Sequence, residues 1–205
     1  MRMIGSSNRT TLPWKNGLGV SSVIASDPPG AGYDAVDWQV GTTEFGIDCP
    51  FSSLPGMDRQ FMLLAGKGVE LHCIGLIEGV DIRRKVDAPF VPFAFRGDWQ
   101  TTCRMLGEPV KVFNVMTRRN KAAAKISLPR WTGQLFCEQR AGESVLAVLL
   151  AGVGNVVGDP VPLLPGDSVL LDAPGGDRCA IVAEKGATGE AARMAIVRIT
   201  PGARP

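Results

Sequence analysis

The chain has 205 residues, with 22 Lys and Arg against 20 Asp and Glu, so its net charge is +2. Hydrophobic residues at 45% and charged residues at 20% are a globular composition, which excludes a disordered chain. The balanced charge also speaks against a broadly basic nucleic-acid binder or a polybasic membrane-surface protein.

In chain order, the opening segment MRMIGSSNRTTLPWKNG has no apolar stretch, so no secretory leader is expected in it. Short β-rich segments follow at 20–25, 36–45, 60–64, 69–74, 90–95, 101–106 and 110–116. More come at 133–137, 145–150, 168–171, 180–182 and 194–199. Gly, Pro or Asp punctuates nearly every junction; the chain holds 25 Gly and 15 Pro. Helical patterning is confined to two short stretches, 119–126 and 188–192. The longest apolar run, 145–154, is too short to cross a bilayer as a helix, which takes about 20 residues. Many short strands with regular turn signals predict an all-β sandwich or barrel.

An internal repeat sharpens that expectation. Leu63-Leu64-Ala65-Gly66-Lys67-Gly68 matches Leu149-Leu150-Ala151-Gly152-Val153-Gly154. Arg96-Gly97-Asp98 then precedes a strand in the first half, and Pro165-Gly166-Asp167 precedes one in the second. Two marks in the same order predict a duplicated β unit, with one barrel over 1–120 and the other over 121–205. The basic stretch 111–130 lies between the two and reads as a solvated face, because the rest of the chain is charge-balanced.

Motifs that could carry chemistry are few. Gly152-Val153-Gly154-Asn155-Val156-Val157-Gly158 follows a strand as a nucleotide loop would. However, Asp159-Pro160-Val161-Pro162 forbids the helix such a loop must open, so a hairpin turn is expected. A single histidine, His72, rules out a three-histidine metal site within one chain, and neither metal nor cofactor is expected. Neighbours on a strand face opposite ways, so His72 and Cys73 cannot pair with each other. His72 could serve as a pocket hydrogen-bonder or be an ordinary packed or surface residue. The five cysteines are spaced without a C-x-x-C and read as packed thiols of a reduced, cytosolic protein.

Two Gly-bounded clusters stand out. Pro13-Trp14-Lys15-Asn16-Gly17-Leu18-Gly19 puts an aromatic, a cation and an amide together, a set able to hold a small anion; a Trp plugging a barrel end is the plain reading. Phe51-Ser52-Ser53-Leu54-Pro55-Gly56-Met57-Asp58-Arg59 contains a Pro-Gly turn that fits type II with positive φ at Gly56. Its Arg59 could fork onto a carboxylate or close the turn as an ion pair.

The strings PWKNGLG, DWQVGTTEFGIDCPFSSLPGMDRQFMLLAGKG, FRGD and VFNVM occur in that order and resemble the HutD/Ves family. The resemblance runs from about Leu12 to Met116 and is diffuse beyond Asn120. It implies an RmlC-like cupin fold with two β-barrels, a bicupin. It also implies a cytoplasmic small-molecule binder associated with histidine catabolism. The ligand class implied is a small acidic intermediate such as formylglutamate, whose binding would moderate pathway flux. Lys15, Asn16 and Arg59 are then the leading polar candidates, with Trp14 and Phe51 as walls. Ser52, Thr42, His72 and Asn114 are further candidates. A metal-free isomerase or hydrolase of a small acid is the alternative, with Lys15 or His72 moving the proton. The expected partner is a small carboxylate, not nucleic acid or membrane, and a homodimer is left open. The chain departs from the family pattern at Leu18, in the run Ser21-Ser22-Val23-Ile24, at Gln39 and at Cys49. Two arginines usual in the family are thereby missing, which points to a different or less acidic ligand.

Overall fold

The computed structural model describes residues 1–184 and 192–202. It opens with β1 (Arg2–Ile4) and one 3-10 turn at Ser6–Asn8; among the described residues everything else that is regular is β-strand. The chain divides into two compact units, one of Thr10–Ala122 with Gly202 and one of Met1–Arg9 with Ala123–Pro201.

The unit of Thr10–Ala122 contains β2 (Thr10–Pro13), β3 (Val20–Asp27), β4 (Trp38–Phe45), β5 (Cys49–Pro50), β6 (Met57–Ala65), β7 (Val69–Gly75), β8 (Val80–Val86), β9 (Pro92–Arg96), β10 (Gln100–Met105) and β11 (Val110–Arg118). A six-stranded sheet, β2-β3-β4-β11-β6-β9, packs on a four-stranded one, β5-β10-β7-β8. Strand β7 shows why: Val69, Leu71 and Cys73 are buried while Glu70, His72 and Ile74 alternate with them on the other face. The inward residues of both sheets, among them Phe45, Phe61, Leu63, Leu71, Val112 and Cys103, form one apolar core.

The other unit adds β12 (Ala122–Ser127), β13 (Gln134–Gln139), β14 (Ser144–Ala151), β15 (Val153–Val156), β16 (Pro162–Leu163), β17 (Ser168–Leu171), β18 (Asp177–Glu184) and β19 (Arg193–Pro201). Its sheets are β1-β17-β14-β19-β12 and β13-β18-β15-β16, closed over Trp131, Val145, Leu149, Val169, Ile181 and Met194.

Eight strands of each unit match in order, and β1, β2 and β3 lie outside the match. The row β4-β11-β6-β9 corresponds to β12-β19-β14-β17, and β5-β10-β7-β8 to β13-β18-β15-β16. The corner after β6, with Gly66 at φ 98° and Gly68 at φ 96°, thus answers to the corner after β14, with Gly152 at φ 80°. Each carries the chain from the larger sheet to the smaller, a sharp reversal that L-residues with a Cβ resist. The second mark of the repeat was misaligned. Asp98 leads into β10, whereas Asp167 leads into β17, the counterpart of β9. The turn that answers to Arg96-Gly97-Asp98 is Gly175-Gly176-Asp177, before β18. A Gly-Asp pair is generic turn chemistry, so it could not identify one turn among several.

Three other expectations change. Residues 1–9, read as part of the first barrel, belong to the other unit: Arg2, Met3 and Ile4 pair with Leu170, Val169 and Ser168, and Ser6 N–H donates to the Asp167 carboxylate at 2.7 Å. Such pairing covers the edge of β17 and is invisible to local pattern. The helix expected at 119–126 is a turn followed by β12, which is buried and exposed in alternation; sheet pairing overrides the helical propensity of its three alanines. The short helix expected at 188–192 falls, except for Ala192, outside the described residues. Strand β8 went unread because Asp81, Ile82, Arg83, Arg84 and Lys85 are exposed on both faces and so show no alternation.

Candidate functional site

The site lies inside the unit of Thr10–Ala122. Pairing of β4, β11 and β6 aligns Gln39 with Met116 and Arg59 in one row, and Gly41 with Asn114 and Phe61 in another. Residues of one row share a face, so Gln39, Asn114 and Arg59 all turn to the interior of this unit. A cavity of about 30 Å³ opens there. Trp14, Phe45, Phe51 and Phe61 make its apolar wall, and Arg59, Asn114, Ser52, Tyr33 and Ser21 supply its polar groups. That volume holds about two waters, or one carboxylate group.

The aromatic wall is continuous. Trp14 stands edge-on to Phe45 at 5.7 Å and to Phe51 at 6.4 Å, and Phe51 lies 5.6 Å from Phe61. The indole N–H of Trp14 donates to Ser21 Oγ at 3.1 Å, and Ser21 Oγ also meets Thr43 Oγ1 at 3.1 Å. Gly19 permits this packing, since a Cβ there would stand 3.0 Å from the indole ring.

Arg59 is the distinctive group. Its guanidinium lies over the rings of Phe95 and Phe51, 4.9 and 5.1 Å from their centroids. Among the described residues no carboxylate forms an ion pair with it. Burial lowers its pKa from the ordinary guanidinium range to about 10, opposed by Tyr33 and Cys73, so it remains a cation at neutral pH. Asp58, its sequence neighbour, faces the other way and pairs with Arg119 at 2.9 Å, so the turn-closing ion pair is made by a different arginine. Arg59 Nε, Asn114 Oδ1, Ser52 Oγ and both amide atoms of Gln39 are buried without a hydrogen-bond partner among the described residues. Unpaired buried polar atoms are costly; Trp99, Trp131 and Gln139 carry others elsewhere, but those of Arg59, Asn114 and Ser52 line one cavity.

Of the residues singled out from the sequence, the structure brings Trp14, Phe51, Ser52, Arg59 and Asn114 to this cavity. It does not bring the others. Lys15 is exposed and paired with Asp34. Asn16 holds its own loop, donating to Pro50 O at 2.8 Å and accepting from Leu18 N–H at 3.1 Å. Thr42 is buried in the row of Phe113, one residue out of step with the cavity face. His72 sits on the outer face of β7 with Asp81 at 2.8 Å. Ser21, Tyr33, Phe45, Phe61 and Met116 were not singled out, although alternation along β6 and β11 from Arg59 and Asn114 would have marked Phe61 and Met116. Departures from the family pattern affect the site unequally. Leu18 is 44% exposed and leaves the cavity untouched, whereas Ser21 lines it and Gln39 shares its face. The basic stretch is also accounted for locally: Lys111 pairs with Glu44, and Arg118 donates to the backbone oxygens of Val36, Tyr33 and Asp34.

Known proteins carry the same design. An uncharacterized 21.2 kDa protein in the hutC 3′ region of Pseudomonas putida is 28% identical over 136 residues, 66% of this chain and 68% of that one. The structure of HutD from Pseudomonas fluorescens SBW25 superimposes with a TM-score of 0.77 at 24% identity, covering 98% of this chain and 99% of that one. Oxalate decarboxylase from Bacillus subtilis, a cupin, superimposes with a TM-score of 0.64 at 6% identity over 98% of this chain and 77% of that one. The fold is therefore the all-β double cupin. The HutD family model matches residues 6–188, a span that takes in both the aromatic cavity around Arg59 and most of the second unit, and the chain belongs to the HutD family.

Proposed function

We propose that this chain is a cytosolic binding protein for a small carboxylate, tied to histidine catabolism, where capture of an acidic intermediate moderates flux. The observation that carries this reading is Arg59: a buried cation with no acidic partner among the described residues, beside the orphaned Asn114 Oδ1 and Ser52 Oγ in one cavity. A carboxylate would supply the missing charge and accept from Arg59 Nε. The aromatic wall keeps water out and strengthens the contact. The cavity is small, so with the carboxylate at Arg59 the rest of a molecule such as formylglutamate lies toward the half-buried Trp14, Tyr33, Phe51 and Ser52. The hutC-region relative supports the metabolic setting. The enzyme alternative needed Lys15 or His72 to carry a proton. Both are held by surface carboxylates outside the cavity, so the geometry favours binding over turnover.

Calorimetric titration with N-formylglutamate, glutamate and urocanate, each beside its neutral amide, tests the reading. The expected result is saturable binding of at least one acid and none of its amide, with a matching rise in melting temperature. Equal binding of acid and amide, or no binding of any acid at millimolar concentration, overturns it.

A further inference from the structure

Four of the five cysteines expected as packed thiols are arranged in two cross-strand pairs. Cys49 of β5 stands opposite Cys103 of β10, and Cys137 of β13 opposite Cys179 of β18. Strands β5 and β10 correspond to β13 and β18, so each unit carries a pair on the same two strands. Residues directly opposite in an antiparallel pair point to the same face. Ala183 N–H donates to Gly133 O at 2.9 Å, and counting along the register puts Cys137 and Cys179 on the same hydrogen-bonded kind of rung. Such rungs hold their Cα atoms about 5.5 Å apart, inside the range of roughly 4.4–6.8 Å that a disulfide spans, and their Cβ atoms near the long end of about 4.5–5.5 Å, so closure must draw the two side chains together by roughly 1 Å.

The two pairs differ in reach. Cys49 and Cys103 are both buried, at 5% and 3% exposure, and burial pushes the Cys103 thiol up to about 12. Cys137 and Cys179 are already hydrogen-bonded to each other, and Cys179 is partly exposed. That bond, together with the charge of Arg198, holds the Cys137 thiol below its ordinary range despite burial. The two requirements of a reactive thiol fall on different members: Cys137 holds the stabilised thiolate but is 2% exposed, whereas Cys179 has the path to solvent while the bond to Cys137 and burial push its thiol above the ordinary range.

We propose that Cys137 and Cys179 form a dithiol–disulfide site, closed by exchange with a low-molecular-weight disulfide such as oxidised glutathione. The proton rests on Cys179, and its transfer to the Cys137 thiolate through the shared hydrogen moves the charge to the sulfur that solvent reaches. Cys179, the member that solvent reaches, attacks one sulfur of the oxidant. Its S–S bond breaks and one thiolate leaves and takes up a proton. Cys137 then attacks Cys179 of the mixed disulfide and expels the second thiolate. The cysteines lose two protons and two electrons, and the oxidant is reduced to two thiols. The product pins the edge strand β13 to β18. A thiol reductant reverses it.

The test uses the full chain under native conditions with oxidised glutathione, followed by alkylation and peptide mapping by mass spectrometry. The expected result is a cross-link between Cys137 and Cys179 with loss of two hydrogens. Cys49, Cys73 and Cys103 remain alkylated, and dithiothreitol restores all thiols. Cys137→Ala should stall with glutathione on Cys179, provided its circular dichroism is that of the parent. The parent chain needs no variant: Cys137 and Cys179 still alkylated after full oxidation, or a link between Cys49 and Cys103 in their place, overturns the proposal.

Discussion

Replacing Arg59 by Met separates a ligand-binding arginine from a structural one, because the two roles predict opposite changes. Met keeps the long apolar stem and removes the charge. A charge-assisted hydrogen bond contributes about 1.5–3 kcal/mol, so affinity for the acid should fall about tenfold to a hundredfold. Stability should move little. The guanidinium is held over two rings, each interaction worth roughly 0.5–2 kcal/mol. Against this stands the burial that lowers its pKa from the ordinary guanidinium range to about 10, a penalty of about a few kcal/mol that disappears with the charge. The terms nearly cancel, so the melting temperature of the unliganded Arg59→Met protein should match or exceed the parent's.

Acidity gives a second axis. Below about 10 both folded and unfolded chains keep this proton, so the burial penalty is constant; above about 10 the folded chain releases it first, and this group's contribution to stability rises with pH until the unfolded chain's guanidinium also titrates. Affinity moves the opposite way, flat through neutral pH and falling above about 10, where the cation is lost. Isothermal calorimetry and thermal melts on the same preparations read both quantities. A melting temperature lowered by several degrees with unchanged affinity would refute the assignment and make Arg59 a structural cation.

Three further outcomes follow from the geometry. Lys15→Ala, aimed at a residue paired with Asp34 on the surface, should leave affinity within about twofold of the parent in the same titration, since exposed pairs are worth at most about 1 kcal/mol. Gly68→Ala should destabilise by at least about 2 kcal/mol in urea unfolding, because φ is 96° and the new Cβ would run into Val86 O and come within 2.6 Å of Asp87 Cα; an unchanged midpoint contradicts the tight corner. Asp98 is pulled up by partial burial but held on balance below its ordinary 3.8 by Gly56 N–H and Arg119, so its contribution is present above that value and lost as pH falls through its folded pKa. Asp98→Asn should accordingly melt lower than the parent at neutral pH, with the gap narrowing in acid.

Local pattern carried most of the strands in both units, because a half-buried strand writes its two faces into alternate residues, as in Val69, Leu71 and Cys73. The duplication was legible at Gly66-Lys67-Gly68 and Gly152-Val153-Gly154 because a corner between sheets demands glycine whatever surrounds it. The aromatic and cationic residues of the two Gly-bounded clusters were legible as types: Trp14, Phe51 and Arg59 meet as a dense cluster of unusual residues suggested they could. What tertiary structure decided was direction and partnership. Lys15 and Arg59 look alike in sequence, yet one turns out to Asp34 and the other in over Phe51 and Phe95. Residues 1–9 joined the other unit, Arg119 displaced Arg59 as the partner of Asp58, and four scattered cysteines became two facing pairs. Each of these depends on pairing between strands distant along the chain, and the register of such pairing is set by how whole sheets close over their cores, a quantity that no short stretch of sequence contains.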